Sequence, residues 1–332
     1  MEQKPNTKKF KKCLLIKTNK VFCNFVVMKK DEKTIQKFNS ISELHKALGF
    51  PKPLHPLVSL VNYADIKTPY EELPKVLLLN FYKISYKKSL TGKIKYGQNY
   101  YDFDEGGLSF VSPNQVISSG EDEKDYSGYT LLFHPDFIRN YQLDTKIKTF
   151  GFFSYSVNEA LFLSDKEKQI IFSIFGNIKE ELNNTIDDFS QDVVVSHIEV
   201  LLNYSSRFYK RQFITRKAVN HDLLTQLEQI LNTYFEQEET LQKGLPTVEY
   251  LAEQLNVSAR YLSDVLRSLT GQNAQQHIHD KLIEKAKEHL TSTNLSVSEI
   301  AYQLGFEHPQ SFNKLFKKKT NLTPIEFKQS FN

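Results

Sequence analysis

Residues 297–321 read VSEIAYQLGFEHPQSFNKLFKKKTN, and residues 248–271 read VEYLAEQLNVSARYLSDVLRSLTG. The two stretches are copies of one pattern, set about 50 residues apart. Val248, Leu251, Ala252 and Leu255 correspond to Val297, Ile300, Ala301 and Leu304. After one extra residue in the second copy's turn, Leu262, Val265, Leu266 and Thr270 correspond to Phe312, Leu315, Phe316 and Thr320. Each position has a reason in a pair of helices joined by a tight turn. Ala252 and Ala301 are small enough for a close crossing. Asn256 and Gly305 sit where the turn needs a positive φ. Val257 and Phe306 plug the turn from inside. Ser258 caps the second helix of the first copy. Ser296 with Glu299 forms a capping box for the first helix of the second copy. Gly271 and Asn321 end the second helices, and Pro324 follows as expected after a stopped helix.

Between the copies, Ile278, Leu282, Ala286 and Leu290 recur every four residues. That spacing predicts one amphipathic helix over about 274–290. A rigid connector fixes the separation of two reading heads. Heads about one DNA turn (~34 Å) apart enter successive major grooves on one face of a duplex. The sequence therefore predicts two helix-turn-helix units, 248–271 and 297–321, in an all-α domain over 223–332. Leu223, Leu224, Leu227, Ile230, Leu231 and Tyr234 mark its opening helix.

Upstream the character changes near residue 160. Leu57 to Tyr63, Lys75 to Tyr86, Tyr100 to Phe103, Leu108 to Val111 and Tyr129 to Phe133 read as strands. Glycines and Pro113 punctuate them, which favours a small sandwich or barrel over residues 1–160. The acidic run Glu121, Asp122, Glu123 and Asp125 reads as a solvated loop, and the lysine-rich N-terminus as a solvated tail. From Ser164, whose pairing with Glu167 fits a capping box, the pattern is helical. Ile171, Ile174, Phe175, Ile178 and Leu182 share one helical face. Val194, Ile198, Leu201, Ser205, Phe208 and Tyr209 share another, on a helix starting near Ser190. Residues 161–213 thus read as a helical hairpin, whose leftover apolar surface either dimerises or covers the barrel. Leu201, Leu202 and Phe208 are the expected dimer contacts. Residues 214–222 read as a polar linker. The whole is an α+β multidomain chain.

Composition bounds the functional classes. The chain has 332 residues, 40% hydrophobic and 25% charged, with a net charge of +4. This is ordinary for a globular protein and permits nucleic-acid binding without requiring it. Cys13 and Cys23 are the only cysteines, so no disulfide framework or four-cysteine zinc site is expected. No apolar run approaches the ~20 residues of a membrane span. The basic N-terminus lacks the clean apolar stretch of a signal peptide, so a cytoplasmic location is expected. Phosphate-cradling glycine loops and nucleophile elbows are missing. His277 and His279 are two apart on a helix and face different sides, a poor metal pair. His45, His55 and His134 are isolated and read as structural. Neither catalysis, a cofactor nor a metal is expected.

The stretch SVSEIAYQLGFEHPQSFNKLFKKKTNLTPIEF resembles the signature of the AraC/XylS family of bacterial transcription regulators around its second helix-turn-helix. The resemblance covers about Leu245 to Lys328, with Asn321 standing where the family more often has glycine. PLHPLVSLVNY, YDFDEGGLSFVSPNQ and GYTLLFHP are similar, less closely, to the cupin-like sensor barrels of some members. Metal-dependent cupins carry paired histidines on their strands, and KIKYGQNYYDFDEGGLSF has none. This points to a binding barrel, in which Tyr96, Tyr100, Tyr101 and Phe103 either line a pocket or are plain core.

The resemblance implies a homodimeric regulator, an activator or a repressor, acting on double-stranded DNA and on RNA polymerase under a small-molecule effector of unspecified identity. Control by a protein partner or by abundance is the alternative within the class, and an enzyme tethered to DNA the alternative outside it. Base reading is expected at Arg260, Ser263, Asp264 and Arg267, and at His308, Gln310, Asn313 and Lys314. Arginine pairs best with guanine and glutamine with adenine. Asp264 either accepts from a cytosine amino group or pairs with Arg260 or Arg267. Lys317, Lys318 and Lys319 are expected to hold phosphates, against the alternative of a solvated helix end.

Overall fold

The computed structural model describes residues 35–69, 72–73, 76–87, 94–96, 99–101, 106–118, 127–156, 159–184, 187–237 and 239–331, with backbone alone for 94–96, 99–101, 118 and 217–219. The lysine-rich tail, Cys13, Cys23, Phe103 and the acidic run 121–125 lie outside the described residues, as do the side chains of Tyr96, Tyr100 and Tyr101.

The N-terminal region is built on two sheets. β1 (Ile35–Phe38) runs parallel to β3 (Val76–Leu79), which pairs antiparallel with β8 (Val116–Ser118). The larger sheet is antiparallel, in the order β10-β7-β4-β9-β2. Its strands are β2 (Val58–Asn62), β4 (Tyr82–Lys87), β7 (Gly107–Val111), β9 (Gly128–Phe133) and β10 (Leu161–Phe162). β5 (Ile94–Tyr96) and β6 (Asn99–Tyr101) form a separate hairpin. Phe38, Leu79, Val111, Ile117 and Leu132 bury together with α1 (Ile41–Ala47), so the two sheets enclose one small core. The opposite face of the larger sheet carries Ile84, Leu108, Phe110, Leu131 and Phe133, covered by helices. This alternation is the period-two signature of a sheet buried on both faces.

Several expectations are corrected here. The run Lys75 to Tyr86 is two strands in different sheets, broken at Asn80 and Phe81 where the chain crosses between them. The sheet does not end at 160, because Leu161–Phe162 adds an edge strand to β7. β1 and α1 add elements that the strand reading did not include.

α2 (Gln142–Lys146) leads to α3 (Asp165–Asn183), which opens with the Ser164–Glu167 capping box, and α4 (Ser190–Thr215) returns along it. The expected stripes are buried, apart from half-buried Leu182. Leu201, Leu202 and Phe208 are buried within the single chain, at 0%, 0% and 4% exposure. They are therefore core residues, not free dimer contacts. The expected linker is also helical: α5 (Lys217–Glu236) follows α4 after a break at Arg216. The stretch contains no glycine or proline to stop a helix. Asn220, itself buried, donates from Nδ2 to the Phe213 carbonyl at 2.6 Å and satisfies the interrupted backbone.

Next come α6 (Thr240–Lys243), α7 (Val248–Gln254), α8 (Ala259–Thr270), α9 (Ala274–Ser292), α10 (Val297–Gln303), α11 (Pro309–Thr320) and α12 (Pro324–Gln329). Pro324 not only follows a stopped helix but starts α12, with Thr323 and Glu326 as its capping box. No helix among the described residues is long and apolar enough to cross a membrane.

Candidate nucleic-acid interface

α7 with α8, and α10 with α11, are two helix pairs each joined by a short turn. Asn256 and Gly305 adopt φ of 55° and 89° in their turns, and Gly271 and Asn321 end the second helices at 77° and 62°. Ala252, Ala301, Val257 and Phe306 are buried at the crossings. Ser258 Oγ accepts from the Tyr261 amide, and Ser296 from Glu299. α9 joins the units, with Ile278, Leu282, Ala286 and Leu290 buried along one side. The second unit has a core of its own around Phe306, Phe312 and Phe316. The core of the first unit is continuous with the N-terminal region.

The second-unit face is open. His308, Gln310, Asn313, Lys314, Lys317 and Lys318 are all exposed on α11 or at its N-cap. Lys319 is paired within the chain, its Nζ 2.6 Å from Asp280 Oδ1 on α9. The remaining lysines crowd the last turn of α11, where the helix dipole favours cations.

The first-unit face is arranged differently. Arg260 and Arg267 are exposed, while Ser263 and Asp264 are half-buried. Asp264 accepts from Arg260 Nε and Arg267 Nη1, each at 3.0 Å, the pairing that is one of its two expected roles. A third donor comes from far away in sequence, the Tyr155 hydroxyl at 2.9 Å. No sequence signal marks Glu159 either. It is 2% exposed and accepts from the amide and hydroxyl of Ser258 at 2.5 and 2.6 Å. Burial pushes its carboxyl above the ordinary range, partly offset by hydrogen bonds from Ser258 and Ser156.

A second polar locus lies on the larger sheet. Lys83, Ser85 and Lys87 alternate on one face of β4, beside Thr130 of β9. Tyr63 donates to Ser85 Oγ at 2.8 Å, and Ser85 lies 3.0 Å from Thr130 Oγ1. The ammonium groups of Lys83 and Lys87 stand 6.0 and 5.9 Å from the Tyr63 ring centre. Burial alone would raise the Tyr63 pKa; the two lysines and the hydroxyl hydrogen bonds outweigh it and hold the phenol below its usual value. Ser85 and Thr130 are themselves buried, at 2% and 4% exposure. A separate cavity of about 190 Å³ lies between α1, β2 and the end of α3, lined by His45, Phe50, Lys52, Ser59, Tyr129 and Lys179 among others.

The histidines expected to be structural have such roles. His55 Nδ1 accepts from Leu57, and His134 Nδ1 from Asp136. His277 bonds Thr270 and His279 bonds Gln275, on separate partners. Among the described residues no group of three or more metal-ligating side chains is placed to hold an ion.

Residues 251–330 match a family model described as a helix-turn-helix domain. The chain is 30% identical over 136 residues to the HTH-type transcriptional activator RhaS of Salmonella paratyphi B, a match spanning 41% of this chain and 46% of that relative. Among solved structures it is similar to the C-terminal domain of the response regulator yesN of Fusobacterium nucleatum (33% identity, 30% of this chain, 96% of that chain, TM-score 0.27). It is also similar to the C-terminal domain of AraT, a response regulator of Geobacillus stearothermophilus (30% identity, 32% and 84% covered, TM-score 0.29). The chain thus spans about half the length of the curated relatives it matches. Residues 251–330 of this chain are thus similar to a helix-turn-helix domain, and the similarity to the curated relatives covers under half of either chain.

Proposed function

We propose that the chain is a sequence-specific DNA-binding transcription regulator. The observation that carries this reading is the open face of α11, where His308, Gln310, Asn313 and Lys314 stand exposed at its N-terminal half and Lys317 and Lys318 follow. A helix of this build places its first turns against base edges and its later cations against phosphates. Selection from a random double-stranded DNA pool with the full chain tests it. A recurrent motif, bound with an affinity that falls steeply with salt, is the expected result. Recovery of no motif would refute it.

The finer reading is activation through RNA polymerase by a cytoplasmic homodimer that binds rather than catalyses. Similarity to an activator supports the sign. Phe189, Val193 and Val200 are exposed at the start and along the solvent side of α4 and favour a dimer, which light scattering at micromolar concentration checks. Control by a small effector is supported by the cavity between α1, β2 and the end of α3, which carries Lys52, Ser59 and Lys179 on its wall. Its test is a thermal shift of the full chain across a panel of carboxylate-bearing and sugar-like compounds.

A further inference from the structure

The two recognition helices carry the same architecture but not the same surroundings. Gln310, Asn313, Lys314 and Lys317 on α11 stand at the positions of Arg260, Ser263, Asp264 and Arg267 on α8. The α11 set is fully exposed, whereas the middle two of the α8 set are half-covered. Gly151, Tyr155 and Glu159 lie against this part of α8. Tyr155, 5% exposed, donates to Asp264 and sets its ring edge-on to Tyr261 of α8 at 5.2 Å. Gly151 lies so close that a Cβ there would press on Asp264 Oδ2 and stand 2.6 Å from Arg260 Nε. Glu159 holds both the amide and the hydroxyl of Ser258, the N-cap of α8. From α4, Phe213 packs edge-on against Tyr261 at 5.6 Å. These contacts grip the N-terminal half of α8, the part that a helix-turn-helix inserts into the major groove. Base edges must come within ~3 Å of Arg260, Ser263 and Asp264 to be read. Gly151 and Tyr155 already occupy that space beside Arg260 and Asp264.

We propose that Gly151, Tyr155 and Glu159 form an intramolecular lock on the first recognition helix. This rests on the DNA-binding reading above and adds its regulation. In the structure described here the second unit is free to engage a duplex and the first is not. Reading both half-sites requires Gly151, Tyr155 and Glu159 to leave α8. DNA and the lock are mutually exclusive partners of one face, so whatever shifts the lock sets the affinity. A fraction of a few per cent unlocked lowers apparent affinity in the same proportion. The Ser258 cap does not depend on the lock, since Ser258 Oγ also accepts from Tyr261 within α8.

The test uses the full chain and two sets of changes outside the DNA-binding domain. Tyr155→Phe with Glu159→Gln removes the hydroxyl on Asp264 and one acceptor facing Ser258, at nearly constant volume. Gly151→Ala, made separately, adds one methyl against the Arg260–Asp264 pair. Both proteins are first checked for a native circular dichroism spectrum and a cooperative melt. A duplex selected with the unlocked variant is then titrated with all three proteins and footprinted with hydroxyl radical. The expected result is at least tenfold tighter binding by the variants. Protection over two successive major grooves is expected with the variants, against one with the wild type. Equal affinity of the wild type and both folded variants overturns the lock, whatever the footprint. If no protein selects any duplex, the DNA reading itself falls and the lock with it.

Discussion

Gly305 and Gly244 approach one another so closely that a Cβ on Gly305 would lie 2.8 Å from the Gly244 carbonyl carbon. The turn of the second helix-turn-helix unit is thereby pressed onto the loop that leaves α6. Thr240 Oγ1 donates to the Gln303 carbonyl from the same side, and the Tyr234 hydroxyl to the Gly244 carbonyl. The second reading head is thus held from α5 and α6 as well as from α9.

Gly305→Ala should be costly for two independent reasons. The residue sits at φ of 89°, where a side chain costs roughly 1–2 kcal/mol. The new methyl also meets backbone atoms of Gly244 and Leu245, which cannot swing aside as a flexible side chain would. Overpacking of this kind costs typically about 1–3 kcal/mol. Chemical denaturation should show a loss of about 3 kcal/mol in total. Asn256→Gly at the matching turn should stay within about 1 kcal/mol, because Asn already tolerates its φ of 55°. A Gly305→Ala protein as stable as the wild type would mean the turn does not approach Gly244 this closely.

Much of the helix-turn-helix architecture is legible in sequence because its signals are local. Caps, turn residues with positive φ and a four-residue apolar repeat each lie within one or two turns of what they control. The lock is not legible, because Tyr155 lies 109 positions from Asp264 and Glu159 lies 99 positions from Ser258. Nothing periodic links them. The stripe Leu201, Leu202 and Phe208 shows the complementary limit. Amphipathicity says that a face is covered, not by what, and here the covering comes from the same chain. The Lys75 to Tyr86 run misleads because strand propensity continues through Asn80 and Phe81 while the chain changes sheets.

Leu201 should therefore report on folding and not on association. It is fully buried between α4 and its neighbours. Leu201→Ala should cost about 2–5 kcal/mol, the usual range for a buried leucine. The loss should appear in the denaturation midpoint at every protein concentration. A midpoint that converges with the wild type on dilution would instead make Leu201 part of an intersubunit contact.

The buried His45 makes stability depend on pH. Burial lowers its pKa below the ordinary value, and the hydrogen bond between Nδ1 and the Pro51 carbonyl at 2.6 Å partly offsets this. Nε2 is buried with no partner among the described residues, so a second N–H there would go unsatisfied. The folded chain thus refuses a proton that the unfolded chain accepts. Its contribution is complete above the ordinary histidine pKa of ~6.5 and is lost as pH falls through that value toward the lowered one. Urea midpoints at pH 7.5 and 5.5 should drop for the wild type and drop less for His45→Phe. Equal drops in the two proteins would show that His45 does not carry the dependence.

Base reading and phosphate holding should separate on α11. Gln310 and Lys314 are four apart, share one exposed face and lie toward the N-terminal half of the helix. Lys318 continues that row one turn further along, toward the helix end. Gln310 offers both a donor and an acceptor and fits the edge of adenine, whereas Lys318 is a point charge suited to phosphate. Gln310→Ala should cost ~1–3 kcal/mol on the selected duplex and relax preference at one or two base pairs. Lys318→Ala should weaken binding about equally on all sequences and lower the salt slope by about one unit. Lys319→Ala should change the slope less, because that ammonium is already paired with Asp280. The three variants are compared on every single-base mutant of the duplex at two salt concentrations. Should Lys318→Ala alter base preference while Gln310→Ala leaves it intact, α11 enters the groove by a different face from the one assigned here.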